Sequence, residues 1–71
     1  TSYKRNVELV IWSLTGQKVK TLLKDQLYPG YYSYDWTGLN DAGQQIASGI
    51  YLCTLGWNDK IIDSKKLIYI N

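Results

Sequence analysis

Turn-forming residues recur along this chain at short intervals, and the runs between them alternate instead of repeating at helical spacing. Gly16, Pro29-Gly30, Gly38, the cluster Asn40–Gly43, Ser48-Gly49 and Asn58-Asp59 punctuate the sequence. Each supplies turn dihedrals or a break that a regular element avoids. The runs between them are rich in β-branched and aromatic residues, so they read as strands. Val7–Leu14 (VELVIWSL) places Val7, Leu9 and Ile11 on one face and Glu8, Val10 and Trp12 on the other. The second face is not polar, so the strand is expected to be covered on both sides or to meet a partner. Lys18–Leu23 completes a hairpin across Leu14–Gln17, with Gly16 taking the awkward dihedral. Lys24–Gly30 is read as a connection in which Leu27 anchors to the core.

The middle of the chain, Asp35–Leu55, sets the organisation. Tyr31–Trp36 is predicted as a strand with Tyr32, Tyr34 and Trp36 on its core face. Thr37–Gly43 is its corner, with Asn40–Gly43 a type I turn followed by glycine. Gln44–Ala47 adds a brief extended piece. Gly49–Leu55 is the central strand, almost uncharged and expected to be buried on both faces. Gly56–Lys60 is read as a hairpin loop carrying Trp57, and Ile61–Ile70 as the last strand, with a polar middle or bulge at Asp63–Lys66. Close-spaced short strands without helical periodicity predict an all-β sandwich.

With 71 residues the chain is one domain, 1–71, whose lead-in is Thr1–Asn6. Such a chain buries only about 60% of its unfolded surface. Its apolar residues, 45% of the total, include three Trp and seven Tyr but no Phe or Met, so aromatic residues must build the core and its rim. A net charge of +2, spread along the chain, is too mild to argue for nucleic acid. No apolar run approaches the roughly 18 residues that span a bilayer. No signal-peptide pattern opens the chain, which is compatible with a C-terminal piece of a longer secreted protein. Cys53 is the single cysteine, read as a small buried hydrophobe, and histidine is absent. A Cys–His pair and His-based metal sites are thereby excluded within the chain.

Other chemistry is sparse. Asp35, Asn40 and Asp41 offer hard oxygen atoms of the kind calcium takes, but at a spacing that fits turn formation rather than a calcium loop. Asp25, Asp59 and Asp63 are isolated, so no carboxylate pair is available for acid–base work. Gly38 and Gly43 do not precede a helix and form no phosphate loop. Neither an enzyme nor a cofactor is expected. Tyr28, Tyr31, Tyr32, Tyr34, Trp36, Trp12 and Trp57 serve the core and its edge, or alternatively form a carbohydrate-stacking platform.

Five separated motifs then fall in order: Gly16-Gln17-Lys18-Val19 after a strand, Tyr28–Gly38 (YPGYYSYDWTG), Asn40–Gly43, Ala47–Tyr51 (ASGIY) and Lys65–Ile70 (KKLIYI). This order resembles the type A C-terminal sorting domains of the type IX secretion system, within the flagellar hook-capping immunoglobulin-like group. The resemblance spans about Val7–Ile70. Thr37 departs from it, standing where the family usually has Asp. The resemblance implies a small immunoglobulin-like sandwich of about six or seven antiparallel strands. It also implies that Tyr51 acts as a tyrosine corner, its O–H tying the corner backbone. Family members commonly begin one strand earlier, and nothing before Val7 matches that strand. The edge beside Val7–Leu14 is therefore expected to be open, with the missing strand supplied by another chain or by a preceding segment.

The functional expectation is a non-catalytic sorting or anchoring module on a secreted or cell-surface protein, passing through the periplasm. Its partners would be proteins, either secretion machinery or neighbouring subunits joined by strand addition. The alternatives are a homo-oligomeric subunit of an extracellular filament or surface assembly, and a glycan-binding module. Candidate interaction residues are Val7, Leu9, Ile11, Trp12, Trp57, Lys65, Lys66, Leu67 and Ile68. Candidate structural residues are Gly16, Trp36, Gly38, Gly43, Gly49 and Tyr51.

Overall fold

The computed structural model describes residues 4–70. Thr1–Tyr3 of the expected lead-in, and Asn71 at the end of the terminal strand, lie outside the described residues. Four strands form one sheet: β1 (Arg5–Ser13), β2 (Lys18–Leu27), β3 (Gly49–Trp57) and β4 (Lys60–Tyr69). Their order is β2-β1-β3-β4, and every pairing is antiparallel. No helix occurs among the described residues. The protein is all-β.

Two tight turns set the pairing. Ser13 N–H donates to Gln17 C=O at 2.9 Å and Gly16 N–H to Ser13 C=O at 3.0 Å, closing the β1–β2 hairpin. The β3–β4 hairpin turns on Asn58 and Asp59, at φ 49° and 67°, the left-handed pair that suits a two-residue hairpin loop. The central pairing runs without a slip from Val7 opposite Trp57 to Ser13 opposite Tyr51. The β1–β2 register slips twice, leaving Val19 and Leu22 as extra residues of β2, and the β3–β4 register slips once at Ile62. Each slip is a local bulge that bends its strand.

Alternation across this register defines two faces. Val7, Leu9 and Ile11 share the inner face with Tyr51, Cys53, Leu55 and Trp57. Glu8, Val10 and Trp12 share the outer face with Leu52 and Thr54. Val10 and Ile11, neighbours on opposite faces, are each only 1% exposed and are the fully buried apolar side chains among the described residues. On the outer face the Trp12 indole reaches diagonally to Thr54, its Nε1 donating to Oγ1 at 2.8 Å, while the Lys18 ammonium lies 5.8 Å from the ring centroid. The inner face is crossed by the long connection 28–48, which leaves the foot of β2 and returns to the head of β3.

Two expectations are corrected. Tyr31–Trp36 joins no ladder; it is irregular chain without a strand partner among the described residues. Tyr32 and Tyr34, expected in the core, are 53% and 42% exposed, because β character alone cannot hold a strand that has no neighbour to bond. Nor is there an open edge beside Val7–Leu14. β1 is bonded to β2 on one side and β3 on the other, so among the described residues the free edges are those of β2 and β4. Boundaries also move: Arg5 and Asn6 enter β1 opposite Leu27 and Gln26, which extends β2 beyond Leu23. Trp57 lies in β3, not in the loop.

Replacing Ile11 with Ala should cost about 2–4 kcal/mol by urea unfolding, a large share of what a domain this size has to lose. Trp12→Phe should cost about 1–2 kcal/mol by stranding the buried Thr54 hydroxyl. Adding Thr54→Val to Trp12→Phe should recover part of that loss, which a double-mutant cycle would measure.

Candidate functional site

Gly38 pins the connection to the sheet. It sits at φ +82°, and a Cβ there would collide with the Tyr69 phenol and lie 2.7 Å from Gln45 Nε2. Gln45 Nε2 donates to Gly38 C=O at 3.1 Å and to the Tyr69 hydroxyl, and Ile46 N–H donates to Gly38 C=O at 2.9 Å. Trp36 wedges beside this point. Its ring meets Tyr51 edge-on at 5.9 Å and Tyr69 at a 44° tilt and 5.5 Å, while Nε1 donates to Leu39 C=O at 3.0 Å. Tyr51 O–H donates to Ala47 C=O at 2.6 Å, tying the start of β3 to the corner that precedes it. Aromatic pairs of this kind contribute about 0.5–1.5 kcal/mol each beyond their buried area.

The turn at Asn40–Gly43 is clipped to the free edge of β2. Asp41 N–H donates to Val19 C=O at 3.0 Å, Thr21 N–H to Asp41 Oδ1 at 3.2 Å, and Lys20 Nζ lies 3.8 Å from the same oxygen. Asn40 Oδ1 accepts from Ala42 and Gln44 N–H at 3.0 and 2.9 Å. These oxygen atoms, weighed above as calcium ligands, are engaged in building the turn and its clip. No group of three acidic or cysteine side chains able to hold a metal ion occurs among the described residues. Gly43, at φ +79° with open space where a side chain would go, is needed for its dihedral alone.

Below Trp36 the same connection stands away from the sheet. A cleft of about 690 Å³ opens there between Tyr28–Tyr34 on one side and Val7, Leu9, Leu23, Leu27, Leu55 and Trp57 on the other. Its wall is nearly all apolar, and Arg5 is the charged residue that lines it. The Arg5 guanidinium covers the Trp57 ring at 4.0 Å, and the Lys4 ammonium lies 5.4 Å from the Tyr28 ring. Tyr32 O–H donates to Tyr28 C=O at 2.7 Å, folding the rim on itself, while Tyr31 is fully exposed.

The sequence-derived interaction residues therefore separate. Val7, Leu9 and Trp57 line the cleft. Ile11 is buried and offers no surface, and Trp12 is spent on Thr54 on the opposite face. Lys65, Lys66 and Ile68 are exposed on β4, the edge strand, with Leu67 half-buried. Leu23 and Leu55 belong to the cleft and escaped the sequence reading; each alternates in phase with Leu9, a signal that needed the β1 register to be read. Tyr28, Tyr31, Tyr32 and Tyr34 do gather at one place, as a glycan platform would require, but the wall behind them presents few polar groups for sugar hydroxyls. Cys53 is half-buried on the inner face. Burial raises its thiol pKa above the ordinary value, partly offset by the Lys65 ammonium, so it is a poor nucleophile near neutrality.

No helix among the described residues is long and apolar enough to cross a membrane. Compared with known proteins, the chain matches no family model, no curated protein and no solved structure.

Gly38→Ala should destabilise by about 3 kcal/mol or more, since it combines a collision with a left-handed dihedral. Gly43→Ala should cost only about 1 kcal/mol, for the dihedral alone. Thermal unfolding of the two variants side by side measures the difference.

Proposed function

We propose that this domain is a non-catalytic sorting or anchoring module of a secreted or cell-surface protein, exported by the type IX route its motif order resembles. The observation that carries the reading is where the last motif lies. Lys65-Lys66 sits in β4, whose outer edge is unpaired, and both side chains are exposed and outside any salt bridge among the described residues. A recognition signal has to be reachable while the domain stays folded, and this strand meets that requirement. Other motifs fall where a folding role suits them: Gly16 in the β1–β2 turn, Gly49 and Tyr51 at the head of β3. The immunoglobulin-like element of the proposal treats the 28–48 connection as the second layer of a sandwich, laid across the inner face without a ladder of its own.

A second reading, a subunit of an extracellular assembly, draws on surface. The accessible area is 5462 Å², against about 4,500 Å² for a compact monomer of this mass. Ile61, Ile62, Ile68 and Ile70 stand exposed on and just beyond β4. These residues favour association, while the lysines and the bulge on the same strand oppose edge pairing.

A reporter fused ahead of this domain should reach the surface of a type IX-competent cell. The Lys65→Ala/Lys66→Ala double variant should block that export while changing stability by no more than about 0.5 kcal/mol, as expected of exposed positions. Unchanged export with both lysines removed would count against the sorting role.

A further inference from the structure

We infer that residues 28–35 form a processing site, where an endopeptidase that cuts after aromatic residues opens the Tyr31–Tyr32 bond and leaves a two-piece domain still assembled. This does not depend on the export route.

The backbone is open at this place. Residues 28–35 are all exposed, and residues 29–37 make no backbone–backbone hydrogen bond among the described residues. A protease draws several residues of its substrate away from the fold, so the bonds to be broken first set the cost. Here there are none to break, and exposed loops of this kind are where nicking concentrates. The other long exposed run, residues 58–66, is held in the ladder to β3 from Lys60 onward. The exposed turn after β1 is shut by the Ser13–Gln17 and Gly16–Ser13 bonds.

The side chains select the class of enzyme. Four of the seven tyrosines, Tyr28, Tyr31, Tyr32 and Tyr34, lie in this run, and no Lys or Arg occurs between Lys24 and Lys60. An apolar specificity slot of the chymotrypsin kind has residues to take there, whereas a trypsin-like slot has none. Tyr31 leads among them. It is fully exposed, while the Tyr32 hydroxyl is bonded to Tyr28 C=O and Trp36 packs on Tyr51 and Tyr69. The bond after Tyr28 runs into Pro29, which has no N–H and a fixed φ. Trp12, Tyr51, Trp57 and Tyr69 are in strands.

What joins the two pieces lies away from the cut. Water adds across the Tyr31–Tyr32 peptide: the C–N bond breaks, leaving a carboxylate on Tyr31 and an ammonium on Tyr32, both in solvent. Residues 4–31 keep β1 and β2, and residues 32–70 keep β3 and β4. The slip-free β1–β3 pairing crosses between them, with the Trp12–Thr54 bond beside it. Asn58 N–H donates to Asn6 C=O at 2.8 Å and Asn6 N–H to Asn58 Oδ1 at 3.2 Å. Asp41 clips the second piece to β2 through Val19 and Thr21. A segment joined to either end would then be held through these contacts, and the tether becomes dependent on concentration.

The test exposes the intact domain to chymotrypsin and, separately, to trypsin, with bonds assigned by mass spectrometry. The first chymotryptic cut between residues 4 and 70 should fall after Tyr31. Trypsin, whose sites open only when the strands do, should act roughly tenfold more slowly or less. The nicked protein should give two bands on a denaturing gel and elute with the uncut domain on gel filtration. Its melting temperature should fall by roughly 10 °C or more on about hundredfold dilution, while that of the uncut domain holds. Tyr31→Ser should slow cutting at this bond roughly tenfold or more, with the melting temperature unchanged because the side chain is exposed. A first cut within a strand overturns the inference, as does trypsin keeping pace with chymotrypsin, which would place cutting in the unfolded chain. Fragments that elute apart overturn it as well.

Discussion

The structure depends on the antiparallel pairing of β1 with β3. It is the one pairing that runs its length without a register slip, and it joins residues 38 to 50 positions apart. It sets Val10 and Ile11 back to back, one on each face, and makes them the buried centre of the sheet. Trp12 and Thr54 fasten the same pair of strands by a partly buried hydrogen bond on the outer face. The two hairpins, β1–β2 and β3–β4, are local and close on short turns. Neither would bury enough alone, since an isolated hairpin is marginal in water. The long-range pairing turns two hairpins into a domain.

The 28–48 connection divides into a fastened half and a free half. Around Trp36 it is held by aromatic contacts with Tyr51 and Tyr69, by the close approach at Gly38 and by the Asp41 clip on β2. Upstream of Trp36 it rests on Tyr32 and Tyr28 of its own rim, over an apolar cleft. The chain has tied down the corner that leads into β3 and left the preceding segment without a ladder among the described residues. The cleft over which that segment passes is walled mainly by leucine and tyrosine, with Arg5 as its charged residue.

Much of this was legible from residue order. The alternation of Val7, Leu9 and Ile11 against Val10 and Trp12 gave β1 two apolar faces, and each has one fully buried residue, Ile11 on the inner face and Val10 on the outer. Gly16 and Asn58-Asp59 marked the hairpin turns because left-handed dihedrals demand those residue types. Asn40 and Asp41 read as turn formers before calcium ligands, and their side chains are used in that way. The failures share a cause. Tyr31–Trp36 has the composition of a strand, but composition cannot supply a neighbour. Val7–Leu14 was expected at an open edge because strand order is not written in any local pattern.

The sequence by itself determined the all-β character, the positions of the two hairpins, the glycines and the faces of the paired strands. Each is a local consequence of side-chain alternation and allowed dihedrals. The tertiary structure alone decided that β1 lies inside the sheet, that Trp57 lies under Arg5 instead of in a loop, and that the inner face is half open. Those facts follow from the pairing of β1 with β3 and from the path of the connection across them. Both rest on contacts between residues far apart in sequence, whose register no short-range pattern encodes.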